Sequence, residues 1–148
     1  MDSLIFSTLQ DQKVGYMIEV CCAIIIRGSE ILAVQRGPES SHPWKWEFPG
    51  GKVHPKESAA QCIVREIEEE LRIRIEILET LSSVEFDYGK GPIRLMPFVC
   101  KALSGEMILT EHVAHQWFLL NQWDGIDWQE ADRDLILKNF EQLKGLLT

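Results

Sequence analysis

The chain is short of positive charge. Its 148 residues carry 15 Lys and Arg against 23 Asp and Glu, a formal net charge of −8. Proteins that grip nucleic acid through a broad basic face draw most of their affinity from neutralised phosphates, so no stable nucleic-acid partner is expected. A small phosphorylated ligand stays open, provided that metal ions stand between the carboxylates and the phosphates. Long apolar runs are missing too: nothing approaches the ~20 consecutive apolar residues that cross a bilayer. Met1-Asp2-Ser3-Leu4-Ile5-Phe6 opens with an acid where a secretory signal carries positive charge. The expectation is a cytoplasmic protein with no membrane partner. Cys-x-x-Cys pairs are absent, since Cys21 and Cys22 are adjacent and Cys62 and Cys100 stand alone. That pattern suggests neither zinc nor redox chemistry and reads as buried free thiols. With no repeat, low-complexity stretch or Pro/Gly/Ser linker, residues 1–148 read as one domain, with 1–15 as a flexible lead.

What is there is strongly patterned. Val20 to Ile26 is a Val- and Ile-rich run, followed by Gly28-Ser29 and Ile31 to Val34, which predicts a hairpin. Gly37 to Lys45, with Pro38, Ser40, Ser41 and Pro43, reads as a loop. From Glu57 to Leu71 the period becomes helical, with Ala60, Ile63, Val64, Ile67 and Leu71 on one stripe. Alternation at Ile73, Ile75 and Ile77 starts extended segments that run through Phe86, and Asp87 to Pro92 is turn material. Ile93 to Leu103 and Gln116 to Leu120 read as further strands. Leu135 or Ile136, Phe140, Leu143 and Leu147 mark one amphipathic C-terminal helix. Strands, helix, strands, helix in that order favour an α/β or α+β domain, a mixed sheet packed between helices. Trp44, Trp117, Trp123 and Trp128 read as packing residues.

The chemistry concentrates between Gly50 and Ile73. Glu66, Glu69 and Glu70 fall within about a 100° arc of the helix, away from the apolar stripe. Carboxylates at i, i+3 and i+4 repel one another. They are either a solvated acidic face or a site for something cationic. The helix is entered from Phe48-Pro49-Gly50-Gly51-Lys52, where paired glycines permit close backbone approaches. A backbone carbonyl and several Glu oxygens suit Mg²⁺ or Mn²⁺ shared with substrate phosphates.

Gly51, five residues, Glu57, seven residues, then Arg65-Glu66-Ile67-Glu68-Glu69-Glu70-Leu71-Arg72-Ile73 resembles the Nudix box, G-x5-E-x7-R-E-U-x-E-E-x-G-U with U apolar. Every fixed position matches except Arg72, where the pattern has glycine. A non-glycine residue in the left-handed helix exit expected there costs about 1–2 kcal/mol. The resemblance implies an α/β/α sandwich over most of the chain and hydrolysis of a nucleoside diphosphate linked to another group. It implies Glu66, Glu69, Glu70 and the Gly50 carbonyl as metal ligands, with Gly51, Glu57 and Arg65 shaping and bracing the loop and the glutamates. Lys52 is placed to balance phosphate charge. Glu69 or Glu66 is a candidate to take the proton from an attacking water. Glu111, before Trp117, reads either as an ordinary loop acid or as a further metal ligand and base.

Within the family the chain is most similar to MutT-type nucleoside triphosphate pyrophosphohydrolases, including CTP-preferring members. Arg36, the run Trp46-Glu47-Phe48-Pro49-Gly50-Gly51 and Asp132 carry that likeness. It implies a Mg²⁺-dependent enzyme, with Mn²⁺ as substitute, that releases a nucleoside monophosphate and pyrophosphate from (d)CTP-like or oxidised nucleotides, as a monomer or homodimer. Phe48 would offer the base an apolar surface, and Asp132 would accept from an exocyclic amine or simply start a helix. Hydrolysis of ADP-ribose or dinucleoside polyphosphates is an alternative, though Tyr88 falls near rather than at the spacing associated with the latter. A nucleotide-binding module without turnover is another.

Overall fold

The apolar run at Val20 lies in β1 (Ile18–Arg27), buried on both faces at the centre of a mixed sheet. Strands covered on two sides read as continuous apolar runs rather than alternations. The computed structural model describes residues 16–147, so the lead expected over 1–15 lies outside the described residues. After β1 come β2 (Glu30–Gln35), β3 (Trp46–Glu47), β4 (Gly50–Lys52), α1 (Ala59–Leu71), β5 (Arg74–Thr80), β6 (Val84–Asp87), β7 (Pro92–Ser104) and β8 (Ala114–Leu119). A 3-10 helix (Leu120–Gly125), α2 (Glu130–Lys138) and α3 (Phe140–Leu146) complete the chain. No helix of the described residues is long and apolar enough to cross a membrane.

β1 and β2 form the expected hairpin, closed at Arg27 and Glu30 around Gly28, whose φ of +61° suits a II′ turn. β7 runs parallel to β1 from Ile18 opposite Ile93 to Ile25 opposite Cys100. β5 and β6 extend the sheet beyond β7, and β8 lies along β2. Cys21, Ala23 and Ile25 of β1 pack with Cys62, Ile63, Ile67 and Leu71 of α1. Cys22 and Ile24 pack on the other face with Leu135, Ile136 and Leu143 of α2 and α3. All four cysteines are buried and free.

Three expectations need correction. The helix predicted from Glu57 starts at Ala59, because Ser58 caps it: Ser58 Oγ accepts from the Gln61 amide, and Gln61 Oε1 accepts from the Ser58 amide. Its buried stripe is Cys62, Ile63, Ile67, Glu70 and Leu71, whereas Ala60 and Val64 face outward. The single C-terminal helix is two. Asn139, fully buried, accepts from the Ser82 amide and donates to the Ser82 and Leu135 carbonyls, and its backbone (φ −108°, ψ 16°) bends the chain between α2 and α3. Finally, Trp44 is 53% exposed at φ +68°, so it packs against no core, unlike Trp128.

Candidate active site

The site begins where β4 leads towards α1. Gly50 pairs with Cys22 and Gly51 with Cys21. A side chain at Gly50 would collide with the Cys21 carbonyl, and one at Gly51 would take the space of the Glu66 carboxylate. Glycine at 51 therefore lets Glu66 lie against the backbone. Arg65 ties this corner together with a bidentate fork on Glu57, 2.6 Å from Nε and 3.0 Å from Nη2. Arg65 Nη1 reaches Glu66 and Glu69 at 3.1 and 3.2 Å, and Nη2 donates to the Lys52 carbonyl at 3.3 Å. The Arg65 fork and the His54 amide hold the Glu57 carboxyl down at about 2, and the same pairing raises the Arg65 pKa.

Glu70 departs from the outward-facing reading. It is 3% exposed, and its Oε1 has no hydrogen-bond partner among the described residues. Burial first, then a hydrogen bond with Glu66 and the charge of Glu111, push its pKa up to about 10. Glu111 arrives because the segment before β8 is sewn onto the end of α1. The Ile108 and Thr110 amides donate to the Leu71 and Glu70 carbonyls, and Thr110 Oγ1 donates to those of Glu69 and Glu70. These bonds satisfy carbonyls that the helix end leaves open. Arg72 makes that exit left-handed at φ 60°, ψ 30°, in the shape expected of the missing glycine.

A second group lies beyond Glu70. Glu47 accepts from Arg36 Nη1 at 3.1 Å, His112 Nε2 at 2.9 Å and Gln129 Nε2 at 3.1 Å. Burial opposes its charge, but His112, Arg36 and Gln129 outweigh that and lower its pKa. Asp132 Oδ2 accepts from the Phe48 amide at 2.9 Å, linking α2 to the segment between β3 and β4. Burial, then the charge of Glu47, raise the Asp132 pKa. Tyr88 Oη accepts from the Ala131 amide at 2.7 Å.

One cavity of about 270 Å³ joins the two groups, lined among others by Arg36, Phe48, Gly50, Gly51, Lys52, Glu70, Glu111 and Asp132. Glu66 does not line it, but its carboxylate lies against Gly51, which does. Glu69, 56% exposed, stays with Arg65, and Glu57 is the brace on the far side of Arg65. The buried side-chain atoms without a partner among the described residues, Arg36 Nε, Glu70 Oε1, His112 Nδ1 and Gln129 Oε1, all belong to residues lining this cavity. A wider, open groove of about 610 Å³ over Ala60, Val64 and Ile77 is lined by none of them.

Sequence reasoning gave no role to Glu47, His112, Gln129 or Tyr88. Glu47 sat inside a quoted motif, where one acid between Trp46 and Phe48 reads as an outward strand position. His112 and Gln129 carry no local signal, since they join Glu47 across long stretches of chain.

Among the described residues no three Asp, Glu, His or Cys side chains stand gathered as a cation site, because Arg65 draws Glu66 and Glu69 to itself. The donors nevertheless suit a hard divalent ion. An unpartnered, buried carboxyl oxygen on Glu70, close to Glu66 and Glu111, offers oxygen ligands of the kind Mg²⁺ and Mn²⁺ take.

Comparison with known proteins agrees with this anatomy. The NUDIX domain profile matches residues 15–140. The CTP pyrophosphohydrolase of Escherichia coli is 40% identical over 101 residues, 68% of this chain and 75% of the relative. The 8-oxo-dGTP diphosphatase of the same organism is 27% identical over 110 residues, 74% and 85% of the two chains. The crystal structure of a MutT NUDIX hydrolase from Burkholderia pseudomallei superposes with a TM-score of 0.71 at 30% identity, covering 82% of this chain and 97% of that one. With Gly51 and Glu70 of the box at one end of the cavity and the profile running through nearly all the described residues, the chain belongs to the Nudix hydrolase family.

Proposed function

We propose that this Nudix hydrolase cleaves nucleoside triphosphates, (d)CTP-like or oxidised, to a nucleoside monophosphate and pyrophosphate with Mg²⁺. The carrying observation is the single cavity that runs from the buried, unpartnered Glu70 carboxyl to the polar wall of Arg36, Glu47, Gln129 and Asp132. A ligand whose anionic end carries a divalent cation and whose other end is rich in hydrogen-bonding groups matches both ends. The likeness to enzymes named for CTP and 8-oxo-dGTP supports the same reading.

In this reading Glu66, Glu69, Glu70, Glu111 and the Gly50 carbonyl hold the cation, and Mn²⁺ substitutes for Mg²⁺. When bound, it neutralises the polyphosphate and makes water a better nucleophile. Arg65, fixed by Glu57, positions Glu66 and Glu69. Lys52 balances phosphate charge. A carboxylate not consumed as ligand, Glu69, Glu66 or Glu111, takes the proton of the attacking water. Phe48, with its amide fixed by Asp132, forms an apolar wall for the base, and Arg36 holds Glu47 in place beside it.

The test is pyrophosphate release from CTP, dCTP, 5-methyl-dCTP and 8-oxo-dGTP, with ADP-ribose hydrolysis followed as a control. At least one triphosphate should turn over, stop under EDTA and resume with Mg²⁺. Glu69→Gln should cost about a hundredfold or more in kcat with the melting temperature unchanged. Turnover of ADP-ribose alone, or of nothing, overturns the assignment.

A further inference from the structure

The polar wall contains a residue whose orientation is forced. Gln129, at the N-terminal cap of α2, has one amide end committed: its Nε2 donates to Glu47 Oε1. The reversed amide would set its oxygen against the Glu47 carboxylate, which already accepts from Arg36 and His112. An acceptor facing an acceptor in a buried site loses a hydrogen bond and adds repulsion. The Gln129 carbonyl oxygen therefore points away from Glu47. It is buried, it has no partner among the described residues, and Gln129 lines the cavity.

An unpartnered buried acceptor costs free energy unless a ligand completes it. Asp132, three positions further on, is also buried and also lines the cavity, and its Oδ2 accepts from the Phe48 amide. A buried carbonyl acceptor of this kind welcomes an N–H donor and rejects a carbonyl oxygen in the same place. Cytosine presents an N4 amino group where uracil presents O4.

We propose that Gln129 is a specificity-determining residue whose carbonyl, aimed by Glu47 in the cavity that Asp132 also lines, accepts from the exocyclic amine of the substrate base and discriminates against 4-oxo pyrimidines. The inference rests on the base-pocket reading above and assigns Glu47 a positioning role. Glu47 accepts from Gln129 and leaves the contact with the base to Gln129 itself.

The experiment separates base recognition from turnover. CMP and UMP differ at this edge by amine against oxygen, and each is titrated by NMR into the full-length protein without added metal. The wild-type protein should bind CMP about tenfold more tightly than UMP, the scale of one hydrogen bond made or left unmade in a buried site. Gln129→Met, close in volume and without the acceptor, should bring the two affinities together chiefly by weakening CMP. Gln129→Ala should do the same, and thermal melts identify any loss of folding. If Gln129→Met misfolds, Gln129→Ala carries the comparison; if both do, Glu47→Gln, which frees the amide to turn over, should also narrow the preference. Equal binding of CMP and UMP by the wild-type protein, or a preference unchanged in the folded variants, overturns the proposal. A protein that prefers CMP but releases no pyrophosphate from dCTP with Mg²⁺ loses the hydrolytic assignment and keeps the base rule.

Discussion

Glu57 carries a consequence for acid stability. Its carboxyl is held near 2, against an ordinary 4.5, by the Arg65 fork and the His54 amide. In the unfolded chain that carboxyl takes up its proton first as pH falls. Its contribution is whole above about 4.5 and disappears as the pH drops through about 2. Glu57→Gln should therefore lower the melting temperature at neutral pH and shrink its fall between pH 4.5 and 2; a variant whose melting profile parallels wild type across that range would show that the pair stabilises nothing. At this scale the box was legible because its spacing is local. Glu66 and Glu70 sit four residues apart on one helix, so an arc drawn on a wheel already groups them. Glu47, His112 and Gln129 were not, because tertiary structure joins them across 65 and 82 positions, and each is an ordinary polar residue where it stands. Even within the box the burial of Glu70 escaped the wheel, since what covers it is the segment carrying Glu111.

Elements succeed or fail at their ends. α1 ends on Arg72 in the left-handed region, a conformation that costs a non-glycine residue about 1–2 kcal/mol. Arg72→Gly relieves that strain but loosens the unfolded chain, so a net gain of about 1 kcal/mol is expected. A higher urea midpoint at unchanged slope checks it, and a lower midpoint would mean that the arginine side chain stabilises the exit. The break between α2 and α3 answers to Asn139. Asn139→Ala leaves the Ser82 amide and carbonyl without their partner and should cost about 2–3 kcal/mol, read from the same denaturation curves. The apolar period across that break is helical on both sides, and for this reason the sequence pattern joined the two helices. Periodicity records which residues face the core, and a side chain that bends the backbone by bonding a distant loop leaves no trace in it. β3 and β4, two and three residues long between prolines and glycines, are equally invisible to any pattern that needs alternation.

At the scale of the molecule the layered sheet followed from the order of strands and helices, since each apolar stripe needs a partner and few arrangements provide one. The charge looks different once placed. Between Glu57 and Glu70 five glutamates meet one arginine, half of the net −8; Glu70 lines the cavity, while Glu57, Glu66 and Glu69 converge on Arg65 beside it. The charge that argues against a nucleic-acid partner is also the reason a phosphorylated ligand would arrive with a cation. The same architecture bears on how the protein can change. β1 sends Cys21, Ala23 and Ile25 to the layer that carries α1 and Cys22 and Ile24 to the layer that carries α2. On the proposed function, that partition would set the half governing rate apart from the half governing choice of base. On that reading, substitutions behind α2 should retune which nucleotide is preferred while the glutamates of α1 keep their footing, and variants of altered preference are best sought there. A single-residue deletion within β1 would exchange the two sides and take both properties at once.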